Sequence, residues 1–176
     1  MPSKNQSILV GGLIAAVLGT GVAVVQNLSG ANDPTNQNPV LGMIFGLLGC
    51  MIMLTSGLIA VWHYTTENEL TIKGKQGVGI GVLAGLVYAV TALILGWLLI
   101  LLNVMPSPEE AMEMVRATGA FDAPGTEQAA SITEMMITWG GPIFALTGGV
   151  IMGLVGGAIG AALFKRGPDP ESELLS

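Results

Sequence analysis

Charge is what this chain has least of. Asp, Glu, Lys and Arg make up 10% of its 176 residues, against about 25% in a soluble domain. Mean hydropathy is +0.69, which takes the chain out of the ordinary soluble class. There is one cysteine, Cys50, inside an apolar run. That excludes a disulfide within the chain and a CxxC metal site, and a buried lone thiol behaves as a small hydrophobe. There is one histidine, His63. The net charge of −6 has the wrong sign for nucleic acid. Neither H-E-x-x-H nor G-x-S-x-G occurs, so an enzyme reading has no residues to stand on, and no catalytic, metal or cofactor residue is expected.

What the chain does have is glycine, 26 residues, and long apolar runs. Spanning a bilayer takes about 20 mainly apolar residues, and four segments suffice, predicting helices at about 8–26, 40–63, 76–103 and 141–165. The N-terminal run lacks a clear A-x-A cleavage site and reads as a retained helix. Residues 1–166 form one transmembrane domain, followed by a flexible acidic tail at 167–176. Lys4, Lys73, Lys75, Lys165 and Arg166 fall on one side of the resulting topology and only Arg116 on the other. By the positive-inside rule both termini are then cytoplasmic. Trp62 and Tyr64 at one interface and Trp139 at the other serve as anchors, with Lys73, Lys75, Lys165 and Arg166 held at the anionic inner leaflet.

Small residues recur every four positions: Gly11, Ala15 and Gly19; Gly42 and Gly46, continued by Cys50; Gly77, Gly81 and Gly85; Gly149, Gly153 and Gly157. Such ladders let helix backbones approach closely. They serve either packing inside one bundle or a partner in the bilayer. The fourth segment is the best candidate for an outward stripe, because Gly148, Gly156 and Gly160 add a second small face.

No ionisable side chain lies within the four apolar cores, whereas proton relays and ion pathways rely on such groups. Thr55, Tyr88, Thr91 and Thr147 are the polar atoms that a solute channel would use. His63 reads as an interfacial side chain reaching water. The run Gly79-x-Gly81-x-x-Ala84 has the spacing of a dinucleotide-binding turn, but that fingerprint needs a preceding strand; here it opens an apolar helix. The stretch TTENELTIKGK ahead of it is a topological hinge, with Thr65, Thr66 and Asn68 closing the second helix and Gly74 supplying a left-handed turn.

Tyr64, Asn68, Lys75 and Gly77 lie around this turn at the mouth of the third helix. In that pattern, in its four apolar segments, in the charged insertion at 108–138 and in the small-residue helix ending in basic residues at 148–166, the chain resembles a family of bacterial membrane proteins, the domain of unknown function numbered 4199. The resemblance implies the fold and a membrane location, and no activity.

The segment 105–138 is read as external. Ser107, Pro108 and Glu110 spell a capping box with proline at the first helical position, and Gly119 ends that helix. Met112 and Val115 share a face, from which Glu109, Glu110 and Glu113 are expected to point away. A second capping pattern, Ser131 to Glu134, precedes a break at Trp139–Pro142. The expected fold is therefore an all-α integral membrane protein: a four-transmembrane-helix bundle with two short amphipathic helices in the external loop between helices 3 and 4. The expected role is that of a non-catalytic multi-pass protein of the bacterial inner membrane, structural or accessory to a larger membrane assembly or a homo-oligomer. Its partners would be the lipid bilayer and other membrane subunits or further copies. A small-solute channel or transporter without intramembrane charges is the alternative.

Overall fold

The computed structural model describes residues 4–31 and 39–167, and every regular element among them is helical. The elements are α1 (Lys4–Leu28), α2 (Pro39–Asn68), α3 (Gly74–Leu101), α4 (Pro108–Ala117), α5 (Glu127–Met135) and α6 (Gly141–Leu163), with a π-helical turn at Met136–Gly140. Four stretches are long and apolar enough to cross a membrane: α1, α2, α3 and the run Glu127–Leu163. The expected tail at 167–176 lies outside the described residues from position 168 onward.

The helices α3 and α6 make the most extensive contact, and α2 and α3 also touch each other. The first helix packs on α2 and α3, as does α6, but α1 and α6 do not meet. The cross-section is a rhombus with α2 and α3 on its short diagonal. Ser7 bonds His63, and Thr71 bonds Gly167. The start of α1, the segment after α6 and the α2–α3 turn therefore share one end of the bundle, together with Lys4, Lys73, Lys75, Lys165 and Arg166.

Packing is confined to the half nearest the termini. Buried positions on α1 stop at Ala16, on α2 begin at Met53, on α3 stop at Ala89 and on α6 begin at Gly149. In the far half Val17, Met43, Leu47, Ile94, Leu101 and Phe144 are all exposed. In water that surface would drive aggregation; between acyl chains as apolar as leucine it is stable.

The α2–α3 turn departs from expectation in one residue. Asn68 Nδ2 donates to the Tyr64 carbonyl at 2.7 Å. The residue with positive φ is Glu69, at 48°, whereas Gly74 simply opens α3. At the other end Ser107 Oγ accepts from the Glu110 N–H at 3.2 Å, and the Glu110 carboxylate accepts the Ser107 N–H at 2.7 Å. Gly119, with φ 74°, closes α4. Ser107→Ala is expected to cost α4 about 1 kcal/mol, seen as faster amide exchange at residues 109–111 with α6 unaffected.

The second short helix is not a separate element. Ser131 lies inside α5 rather than capping it, and α5 runs through the π turn into α6, giving one helix of 37 residues. Pro142 was expected to break the chain here. Its missing N–H removes one helical hydrogen bond, and the wider π turn just before it absorbs the mismatch without ending the helix.

Candidate functional site

The bundle is built where glycine backbones meet. The α3 and α6 ladders interlock along their length: Gly77 faces Gly157 and Ala161, Gly81 faces Gly153 and Gly157, and Gly85 faces Gly149 and Gly153. A methyl group at Gly81 would fall on the Gly153 carbonyl and lie 2.8 Å from the Gly157 Cα. Only hydrogen at these positions permits such contact. The second small face of α6 does not point outward. Gly156 rests on the Leu54 carbonyl of α2, and a Cβ at Gly160 would sit 2.9 Å from that of Val61. The first helix brings Gly11 against Ser56 and Ala60, buries Ala15 completely, and sets Gly19 beside the Tyr88 hydroxyl.

The α2 stripe is not used inside the bundle. Gly42 and Gly46 have no atom of the described residues within 4 Å of where a Cβ would stand. The surface that α2 uses instead is Ser56, Gly57, Ala60 and Val61, all buried, with Gly57 packed on Gly153 and Gly157. The Ser56-x-x-x-Ala60 spacing is visible in the sequence, with serine acting there as a small residue. Gly12, against Ala84 and Val87, was likewise outside the expected ladder.

The hydroxyls of Thr55, Ser56 and Thr147 are turned back on their own helices. Thr55 donates to Ile52 and Thr147 to Ile143, each at 2.7 Å, and Ser56 donates to Met53 at 2.7 Å. Thr147 is exposed and Tyr88 is buried in the core, so these two do not share a surface. Thr91 is half-buried on α3.

His63 is tied down rather than reaching freely to water. Its Nδ1 lies 3.0 Å from the Ser7 hydroxyl, linking α2 to α1. Ser7 is 1% exposed, which makes the pair a clasp between helices and keeps the oxygen away from any external substrate. Trp62 is 44% exposed, while Tyr64 packs on the core around Val61 and Phe164. Trp139 is 60% exposed, in the π turn.

A concavity of about 610 Å³ lies where α3 ends, between α4 and the α5–π segment. Trp97 and Met112 line it together with Glu109, Glu113, Arg116 and Glu134. Residues 109, 112, 113 and 116 are spaced three or four apart and share one face of a helix. Glu109 and Glu113 border the concavity but remain exposed while Met112 is buried and Val115 half-buried, as expected; of the three α4 glutamates only Glu110 is absorbed by the cap. Among the described residues no three His, Cys, Asp or Glu side chains gather closely enough to hold a metal ion.

A family model described as a protein of unknown function (DUF4199) matches residues 8–166. No curated protein and no solved structure matches.

Proposed function

The chain belongs to the DUF4199 family, a family of unknown function, and from that membership and the membrane-type fold we propose a non-catalytic role exercised through association within the bilayer. In this reading it is a structural or accessory subunit of a bacterial inner-membrane assembly, or a homo-oligomer, with both termini cytoplasmic and α4 and α5 outside. The observation that carries it is the stripe of Gly42 and Gly46 on α2. Most small-residue ladders in the chain are used between its own helices, but this one faces no described atom. A close-packing surface of that kind suits a neighbouring transmembrane helix. The five basic residues at the end shared by the termini support the orientation.

The channel alternative draws less support, since the hydroxyls of Thr55 and Thr147 are bonded to their own helices.

Native mass spectrometry after extraction in mild detergent tests the proposal. A defined complex is expected, with a second protein or with further copies. Gly42→Ile combined with Gly46→Ile is expected to dissociate it without changing the melting temperature of the chain itself, because both sites are open. A strictly monomeric protein, in detergent and after cross-linking in native membranes, would reject the association reading.

A further inference from the structure

The inner faces of the helices do not close on one another in the far half of the bundle. On α2 the core-facing line is Met53, Ser56 and Ala60, and the same spacing of three and four carries that line on to Gly49. Gly49 is half-buried, yet no described atom lies within 4 Å of where its Cβ would stand. Its neighbours shade it without touching it. On α3 the buried face ends at Tyr88 and Ala89 and continues in the half-buried Ala92 and Leu95. A gap thus opens just beyond the packed core, and Tyr88 forms its floor. The Tyr88 side chain is 6% exposed. Its hydroxyl reaches α1 and α2, lying 3.1 Å from where a Gly19 Cβ would stand, with Ile52 beside it. Cys50, the residue after Gly49, is within electrostatic reach of the same hydroxyl. That hydroxyl has no hydrogen-bond partner among the described residues. Nor is it sealed in, because no fully enclosed side-chain oxygen or nitrogen among them lacks a partner. A phenol that is more than nine-tenths buried, unpaired and open on one side is aimed into the gap.

We infer that this gap is a binding site for a neutral lipophilic carbonyl compound dissolved in the bilayer, a ketone or quinone ring, with the Tyr88 hydroxyl donating to its carbonyl oxygen. An unpaired hydroxyl among apolar groups is unfavourable until it finds a partner, and a phenol donates readily to a carbonyl. No acidic or basic side chain stands within the apolar cores of the spans, so nothing there would compensate a charge on the ligand. Depth excludes the ordinary phospholipids. Tyr88 sits at the middle of α3 (Gly74–Leu101), roughly 20 Å from either end at 1.5 Å per residue. That places it near the midplane of a hydrocarbon layer about 30 Å thick. Phospholipid ester carbonyls lie at the edge of that layer, and acyl chains carry no acceptor. What remains is a free apolar molecule with its own carbonyl, held between walls such as Ile52 and Ala92. The inference needs no protein partner, since Gly42 and Gly46 lie nearer the far end of α2 than the gap does.

Full-length protein in phosphatidylcholine nanodiscs is equilibrated with duroquinone or with durene, the same tetramethyl ring without carbonyls. Retention of each probe is measured by gas chromatography and mass spectrometry, relative to protein-free nanodiscs, which corrects for partition into the lipid. The wild-type protein is expected to retain duroquinone about fivefold more than durene, the factor that one neutral hydrogen bond contributes. Tyr88→Phe keeps the ring and loses only the donor, so the ratio is expected to fall to about one. Gly49→Leu fills the gap from a position that is open to a side chain. It is expected to bring both probes down to the level of protein-free nanodiscs, with helix content by circular dichroism unchanged. Three results would each overturn the assignment. They are no retention by the wild-type protein above protein-free nanodiscs, as when water alone pairs the hydroxyl; a preference for duroquinone that survives Tyr88→Phe; and wild-type retention in a folded Gly49→Leu variant.

Discussion

Replacing Gly153 with leucine is expected to leave no folded bundle. At Gly153 three helices converge. Its own carbonyl is covered by Gly57 of α2 and by Gly81 of α3, and a Cβ on it would lie 2.9 Å from the Gly85 Cα and 3.1 Å from the Gly85 nitrogen. Those neighbours are backbone atoms, so no rotamer change relieves the clash. Overpacking of side chains typically costs 1–3 kcal/mol; where backbone has to move, about 3 kcal/mol or more is the expected loss. Gly153→Ala should already lower the midpoint of unfolding in a detergent titration followed by circular dichroism, and Gly153→Leu should abolish the transition. Gly46→Leu, an identical chemical change at an open site, should leave the midpoint within about 0.5 kcal/mol of wild type. If both glycines respond alike, the interlocked arrangement of α3 and α6 is wrong.

The second large effect is expected at Tyr88. Its ring is 6% exposed and packs with Ala15, Ala16, Met53 and Ala89 at the outer limit of the core, against Gly19 on one side and Gly149 on another. In a soluble core a large aromatic-to-alanine change costs about 3–5 kcal/mol, partly as transfer free energy and partly as a cavity. In a bilayer the transfer part largely disappears, because the reference state is also apolar. The lost dispersion contacts remain. Tyr88→Ala is therefore expected to cost about 2–3 kcal/mol, and Tyr88→Phe under 1 kcal/mol. The readout is again the detergent unfolding midpoint. A Tyr88→Phe loss equal to that of Tyr88→Ala would mean that the hydroxyl, not the ring, is what the site holds.

The ladders of α3 and α6 were legible in the sequence because the rule behind them is local. Gly77, Gly81 and Gly85 and their counterparts Gly149, Gly153 and Gly157 share a face whatever lies opposite. The same rule could not tell that Gly42 and Gly46, spaced identically, stand beyond the level at which α2 is packed. Depth along the span is a tertiary property, set by how far the far ends of the helices separate. Nor could spacing disclose the Ser7–His63 clasp, whose members are 56 residues apart and belong to different helices. The Pro142 region failed on a different ground. Proline spells a stop signal in the sequence, whereas a single widened turn lets a long helix pass through it.

That turn also sets the angular phase of the chain on either side of it. Each residue advances an α-helix by about 100°, and a π turn holds one residue more than the α-helical count. The extra residue between Met136 and Gly140 rotates α5 relative to α6. Because of that offset, Glu134 is directed over the end of α3 while Gly149, Gly153 and Gly157 are directed along it. Deleting one residue from Met136–Gly140 would restore an unbroken helix and swing the carboxylate roughly a quarter of a circle away, leaving the glycine stripe where it is. The π turn thus acts as a phase shifter between the surface that meets α4 and the one that packs along α3.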